Sequence, residues 1–294
     1  MNSILMFTYP FGILVVLTLV IGLGVYLTRK YDLGWRLYWI GAALFIIAQV
    51  FHIPFNLLID RLFRNGVLPS VPGEYQLLFS AVFLGLSAAL FEEITRYIGF
   101  RWWAKDARSW AKGLLFGSGW GGMEAVLFFA IPLLLNYVIF LALRTQDLSG
   151  MLPPEQLAPL QEGLKIFWGV AWYDSLLGAI ERTLVIPIQI AFTILVLQVF
   201  IRRQIRWLWF AIILHALFDA VAVIGVRTWG VYITEALFLF FSLISLGMIF
   251  VLQSDEPEVT EQEDYPEDSP QVDQLELSPI EVTEENIDQT RFTD

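Results

Sequence analysis

Cysteine is absent from this sequence. That excludes disulfide frameworks, thiolate metal sites and cysteine nucleophiles together. Charge is scarce as well: 16% of residues are Asp, Glu, Lys or Arg, against 57% hydrophobic. This balance excludes an ordinary soluble globule, and repeated apolar runs of about twenty residues point to a polytopic membrane protein. Short segments of alternating polarity are missing, which argues against an outer-membrane barrel and leaves an all-α transmembrane bundle. The first apolar run, Ile4 to Leu27, lacks a basic leader and a small-residue cleavage signal, so it reads as a retained helix. No inverted repeat of the kind that favours a transporter is visible. The longest outward connection, Arg144 to Lys165, carries Pro153, Pro154 and Pro159 and is too short to fold alone.

The net charge of −11 is unevenly spread. From Gln253 onward there are fifteen Asp or Glu and one Arg, a charge of −14, which leaves +3 for the first 252 residues. An acidic, proline-punctuated tail cannot bury enough apolar surface to offset its ordering entropy, so residues 253–294 are expected to be disordered. That tail is a solvating extension or a dock for a basic cytoplasmic partner. Residues 1–252 are expected to form the helix bundle, with spans near Ile4 to Leu27, Leu37 to Ile59, Tyr75 to Phe100, Gly113 to Leu143, Leu184 to Ile201, Trp207 to Val226 and Val231 to Leu252. Ile166 to Thr183 is apolar enough for an eighth span, yet contains Asp174, Glu181 and Arg182 and runs into Pro187. Basic residues decide between seven and eight. They gather at Arg29, Lys30 and Arg36, at Arg101, Lys105, Arg108 and Lys112, and at Arg202, Arg203 and Arg206. With all three clusters cytoplasmic, Ile166 to Ile201 crosses once, the N-terminus is outside and the tail is cytoplasmic. Trp102, Trp103, Trp110, Trp207 and Trp209 flank the basic loops, as interfacial anchors do.

Against this apolar background, buried ionisable residues are expensive and mark a candidate site. Phe91 to Arg96 reads FEEITR. It sets Glu92 four residues before Arg96, on one helical face, with Glu93 rotated about 100° away. The bland account is an ion pair snorkelling at a helix end. A second element, GSGWGGME, places Gly117, Gly121 and Glu124 on one stripe. Glycines there let another helix approach, and Glu124 lies roughly 16 Å in from Gly113, too deep to lack a partner. The third element is His215 followed four residues on by Asp219, which can fix the ring's tautomer and orientation. The fourth is Glu181-Arg182 with Pro187 and Gln189 beyond it. Glu181 and Arg182 are expected to pair near the outer surface, and Gln189 lies at a depth comparable with Glu124 and His215. His52, before Ile53 and Pro54, reads as a polar neighbour for the carbonyl that the proline leaves unbonded.

In this order, EExxR, GxGxGGxE, ER with a polar residue eight on, and HxxxD, the chain resembles the YhfC family of intramembrane peptidases. That family is similar to the CAAX prenyl endopeptidases and the PrsW proteases. The resemblance covers Phe51 to Asp219. It implies a membrane-embedded protein or peptide, or a prenyl-like compound, as substrate, and a multi-pass protein of a prokaryotic plasma membrane with no nucleic-acid partner. It also implies Glu92 and Glu93 as the catalytic pair, Glu124 and His215 completing the site, Asp219 supporting the histidine and Arg96 as a positioning charge. Gln189 departs from the family pattern, which has a histidine there. Two routes follow. In one, zinc held by Glu124, His215 and Glu93 activates a water with Glu92 as base. In the other, no metal is needed: Glu92 takes the proton and His215 or Gln189 stabilises the oxyanion. A proton-coupled transporter with Glu92, Glu124, His215 and Asp219 as a relay, or a catalytically inactive scaffold, is the alternative.

Overall fold

The computed structural model describes residues 3–144 and 153–253. The acidic tail beyond Gln253 therefore lies outside the described residues. Those described form helices and no strands: α1 (Leu5–Lys30), α2 (Arg36–Arg64), α3 (Gln76–Ile98), α4 (Trp110–Ala125), α5 (Ile131–Leu143), α6 (Pro154–Gly169), α7 (Leu177–Ile201), α8 (Arg206–Thr228) and α9 (Val231–Val251). A π turn, Val126–Ala130, joins α4 to α5 in one long span, and another, Gly99–Trp103, extends α3. Among the described residues, seven helical stretches are long and apolar enough to cross a membrane. Only α6 among these helices is not part of one.

Two boundaries differ from expectation. The fifth crossing starts at Leu177, a full seven residues before Leu184, so Glu181 and Arg182 are helical. Pro187 does not end the helix because only one backbone bond is lost, and the charged pair finds partners inside the bundle. The outward connection is not featureless either: Pro154 occupies the first helical position of α6, where a missing N–H costs nothing. α6 then packs Trp168 and Phe167 against Leu5, Tyr9, Tyr137 and Phe140 in a small second core. Trp110 is a third correction. It is buried and donates from Nε1 to the carbonyl of Ile249 at 2.8 Å, so it packs inside the bundle. Trp102, Trp103 and Trp209 are exposed, as anchors should be.

α7 is the central post: nearly every residue from Val185 to Val199 is buried, the mark of a helix apolar all round. Around it the helices approach closely at glycines. A Cβ on Gly85 of α3 would lie 2.4 Å from the Ala216 carbonyl oxygen of α8, and one on Gly119 of α4 would lie 1.9 Å from that of Tyr38 in α2. Gly117 and Gly121 lie against Ile190, Thr193 and Gln189 of α7, which is the close helix approach that the glycine stripe predicts. These contacts draw α2, α3, α4, α7 and α8 together at one depth.

Candidate active site

On α3, Gly85, Ala89, Glu92, Glu93 and Arg96 are all buried, so the side of this helix that faces the bundle carries the charges. Arg96 is 0% exposed. It is therefore not a snorkelling helix-end residue, since the helix continues past it. Its guanidinium reaches both glutamates, which lie three and four residues back, where a helical neighbour is within reach. Nη1 pairs with Glu93 Oε1, and Nη2 lies 3.4 Å from Glu92 Oε2. Nη2 also donates to Gln189 Oε1 of α7, and the guanidinium carbon lies 4.1 Å from the Trp120 ring centroid.

His215 of α8 brings Nδ1 to 2.6 Å from Glu93 Oε1 and Nε2 to 3.5 Å from Asp219 Oδ2. Its ring stacks on Phe192 at 4.6 Å, which fixes its plane. The HxxxD spacing thus places Asp219 beside the histidine, and Glu93 takes the other nitrogen.

Two contributors escaped the sequence reading. Gln49 of α2, itself buried, donates from Nε2 to Glu92 Oε1 at 3.0 Å, and Trp120 Nε1 lies 3.3 Å from Glu92 Oε2. Gln49 Oε1 is 3.3 Å from His52 Nδ1, while His52 Nε2 accepts from Asn56 at 2.9 Å and meets Ser87 Oγ at 3.1 Å. His52 is accordingly linked to Glu92 through Gln49.

Glu124 lies one turn beyond Trp120 and pairs not with His215 but with Arg182 Nη1 of α7, at 3.0 Å. Arg182 also pairs with Glu181, as the sequence suggested, and Glu235 of α9 is within electrostatic reach of both. The partner that Glu124 requires is thus an arginine from the fifth span.

A zinc site needs three or four imidazole or carboxylate donors converging on one point. Among the described residues no group of three His, Asp or Glu is gathered to hold a metal. Each candidate donor residue is held by another group: both nitrogens of His215 face carboxylates, Arg96 lies among Glu92, Glu93 and Gln189, and Arg182 holds one oxygen of Glu124, leaving Glu93 Oε2 and Glu124 Oε2 without a partner among the described residues. As arranged, these residues do not fit a zinc ion. They do fit acid-base chemistry at a carboxylate held in a buried, polar setting.

A family model described as YhfC intramembrane metalloprotease matches residues 15–239. The chain is 32% identical over 216 residues to a Bacillus subtilis (strain 168) protein named "Uncharacterized membrane protein YhfC", covering 70% of this chain and 80% of that protein. No solved structure matches.

Proposed function

The chain belongs to the YhfC intramembrane metalloprotease family, and from that membership we propose that it is an intramembrane peptidase with Glu92 as its general base. The observation that carries this reading is the unequal engagement of two adjacent carboxylates. Glu93 is tied directly by Arg96 and His215. Glu92 has contacts of 3.0, 3.3 and 3.4 Å, to Gln49, Trp120 and Arg96. It is oriented, yet loosely enough held to exchange a proton.

Glu92 takes a proton from a water molecule, and the resulting hydroxide adds to the scissile carbonyl carbon. Gln189 turns its Oε1 to Arg96, which leaves its Nε2 without a hydrogen bond among the described residues and available as a donor to the oxyanion. Collapse of the tetrahedral intermediate breaks the C–N bond, and the proton on Glu92 passes to the leaving amine. A membrane-embedded substrate is supported by a cavity of about 460 Å³ lined by Phe55, Phe83, Leu86, Leu90, Phe91 and Ser87, the last in contact with His52.

Glu92→Gln should abolish cleavage in proteoliposomes while the protein still inserts and folds; undiminished cleavage would sink the assignment. One observation favours a proton-coupled transporter instead: the second buried pair, Glu124 with Arg182, continues the line of ionisable groups toward Glu181. Pumping or leak of protons by liposomes that cleave nothing would select that reading.

A further inference from the structure

We propose that Arg96 holds the position a resident metal ion would take beside Glu92 and Glu93, so that a fixed guanidinium supplies the positive charge of this site. The inference deepens the peptidase reading and rests on it for what that charge does in the reaction. What the charge is made of is measured without any cleavage assay.

Four groups of the right chemistry converge on Arg96. Glu93 Oε1 takes Nη1, and Glu92 Oε2 and Gln189 Oε1 both face Nη2. The flat indole of Trp120 lies 4.1 Å from the guanidinium carbon. A planar, delocalised cation makes use of an aromatic face, and its fork of N–H groups matches several oxygens at once. Gln189 fits the same account: a neutral amide is a poor metal ligand beside carboxylate or imidazole, but its oxygen is a good acceptor for an arginine. His215 is turned with carboxylates facing both of its nitrogens, Glu93 Oε1 at 2.6 Å and Asp219 Oδ2 at 3.5 Å. Glu93 Oε1 already accepts from both Arg96 and His215. A divalent ion bound there would share oxygens with a buried guanidinium of like charge. The other Glu93 oxygen, Oε2, and Arg96 Nε are buried without a hydrogen-bond partner among the described residues, the kind of poised polar atoms a reacting site leaves uncovered.

The test measures metal per chain in tag-free, full-length protein purified in detergent, together with the melting temperature with and without added zinc. The wild type should carry far less than one metal per chain, and zinc should not raise its melting temperature. Arg96→Met, which leaves Glu92, Glu93 and His215 without their guanidinium, should take up roughly one zinc per chain and melt higher with it. Arg96→Lys and Gln189→His, which both keep a cation in place, should stay near the wild-type content. A wild type that carries about one metal, released by chelator with a fall in melting temperature, overturns the proposal, as does a folded Arg96→Met that takes up none. If Arg96→Met does not fold, the wild type and Arg96→Lys decide. A wild type that cleaves no substrate overturns the peptidase reading and leaves this measurement standing.

Discussion

Glu92 and Glu93 share a peptide bond but not an environment, because a helix turns one toward α2 and α4 and the other toward α8. Gln49 is what turns the first of them. Gln49→Ala removes the donor to Glu92 Oε1 inside the bundle, which should cost about 1–3 kcal/mol, read as a lower melting temperature. On the peptidase reading its kcat falls more than its KM changes, because the base loses its orientation. Arg182 presents the harsher case. Arg182→Ala strands Glu124, a buried carboxylate, and should destabilise by about 3–5 kcal/mol. Adding Glu124→Gln to it should recover part of that loss, measured by denaturant unfolding in micelles. FEEITR and HxxxD were legible in the sequence because their partners lie within one helical turn. Gln49 with Glu92, Trp120 with Glu92 and Arg182 with Glu124 are 43, 28 and 58 residues apart. Such pairs depend on which helix faces which, and no periodicity within one helix carries that. Gln49 did leave a trace: like Gln189, it is a polar residue in the middle of an apolar run.

Between helices, the seams are set by glycine. Gly85 allows α3 to reach α8, and through that contact Glu93 reaches His215. Gly85→Ala would press a methyl against the Ala216 carbonyl and should cost about 1–3 kcal/mol, with loss of activity as the two helices part. Gly22→Ala and Gly247→Ala, whose Cβ atoms would meet nothing within 4 Å, should leave the melting temperature nearly unchanged. The seven spans could be read from length and hydropathy because the bilayer imposes both. The early start of α7 could not, since Glu181 and Arg182 look like a helix-ending charge pair until Glu124 is seen beside them. α6 was hidden for the same kind of reason: its prolines suggested a loop, whereas one of them sits where a helix begins.

Over the described residues, seven helical stretches are long and apolar enough to cross a membrane, and seven crossings would put Leu5 and Val251 on opposite faces. We propose the orientation that the basic loops favour, with Lys105 cytoplasmic and Trp229 outside. A chain without cysteine makes the test direct: Lys105→Cys should react with an impermeant maleimide only after the cytoplasmic face is opened, and Trp229→Cys from outside. The first two basic loops share one face, since Arg36 binds Asp106 through contacts of 2.8 and 3.0 Å. Arg36's hydrogen bond, the largest influence on it, holds the Asp106 carboxyl below the usual carboxylate range. A carboxyl lowered in the folded state adds stability above its ordinary range and loses it as pH falls through its own value. The pair is exposed, so Asp106→Asn should lower stability by about 0.2–1 kcal/mol at neutral pH, a gap that closes in strong acid. The fourth crossing holds one more consequence. Its π turn, Val126–Ala130, contains one residue more than an α-helix needs for the same advance. Deleting a single residue there would turn the π turn into ordinary α-helix and leave α5 in its present phase, whereas keeping every residue and forcing the turn into α-helix would rotate α5 by about 100°. After the deletion Glu124 would stay where it is and Tyr137 should keep the Met6 carbonyl that it holds at 3.0 Å. The turn thus takes up a surplus residue locally, so that α5 keeps its seat against α6 while α4 keeps the phase that places Glu124.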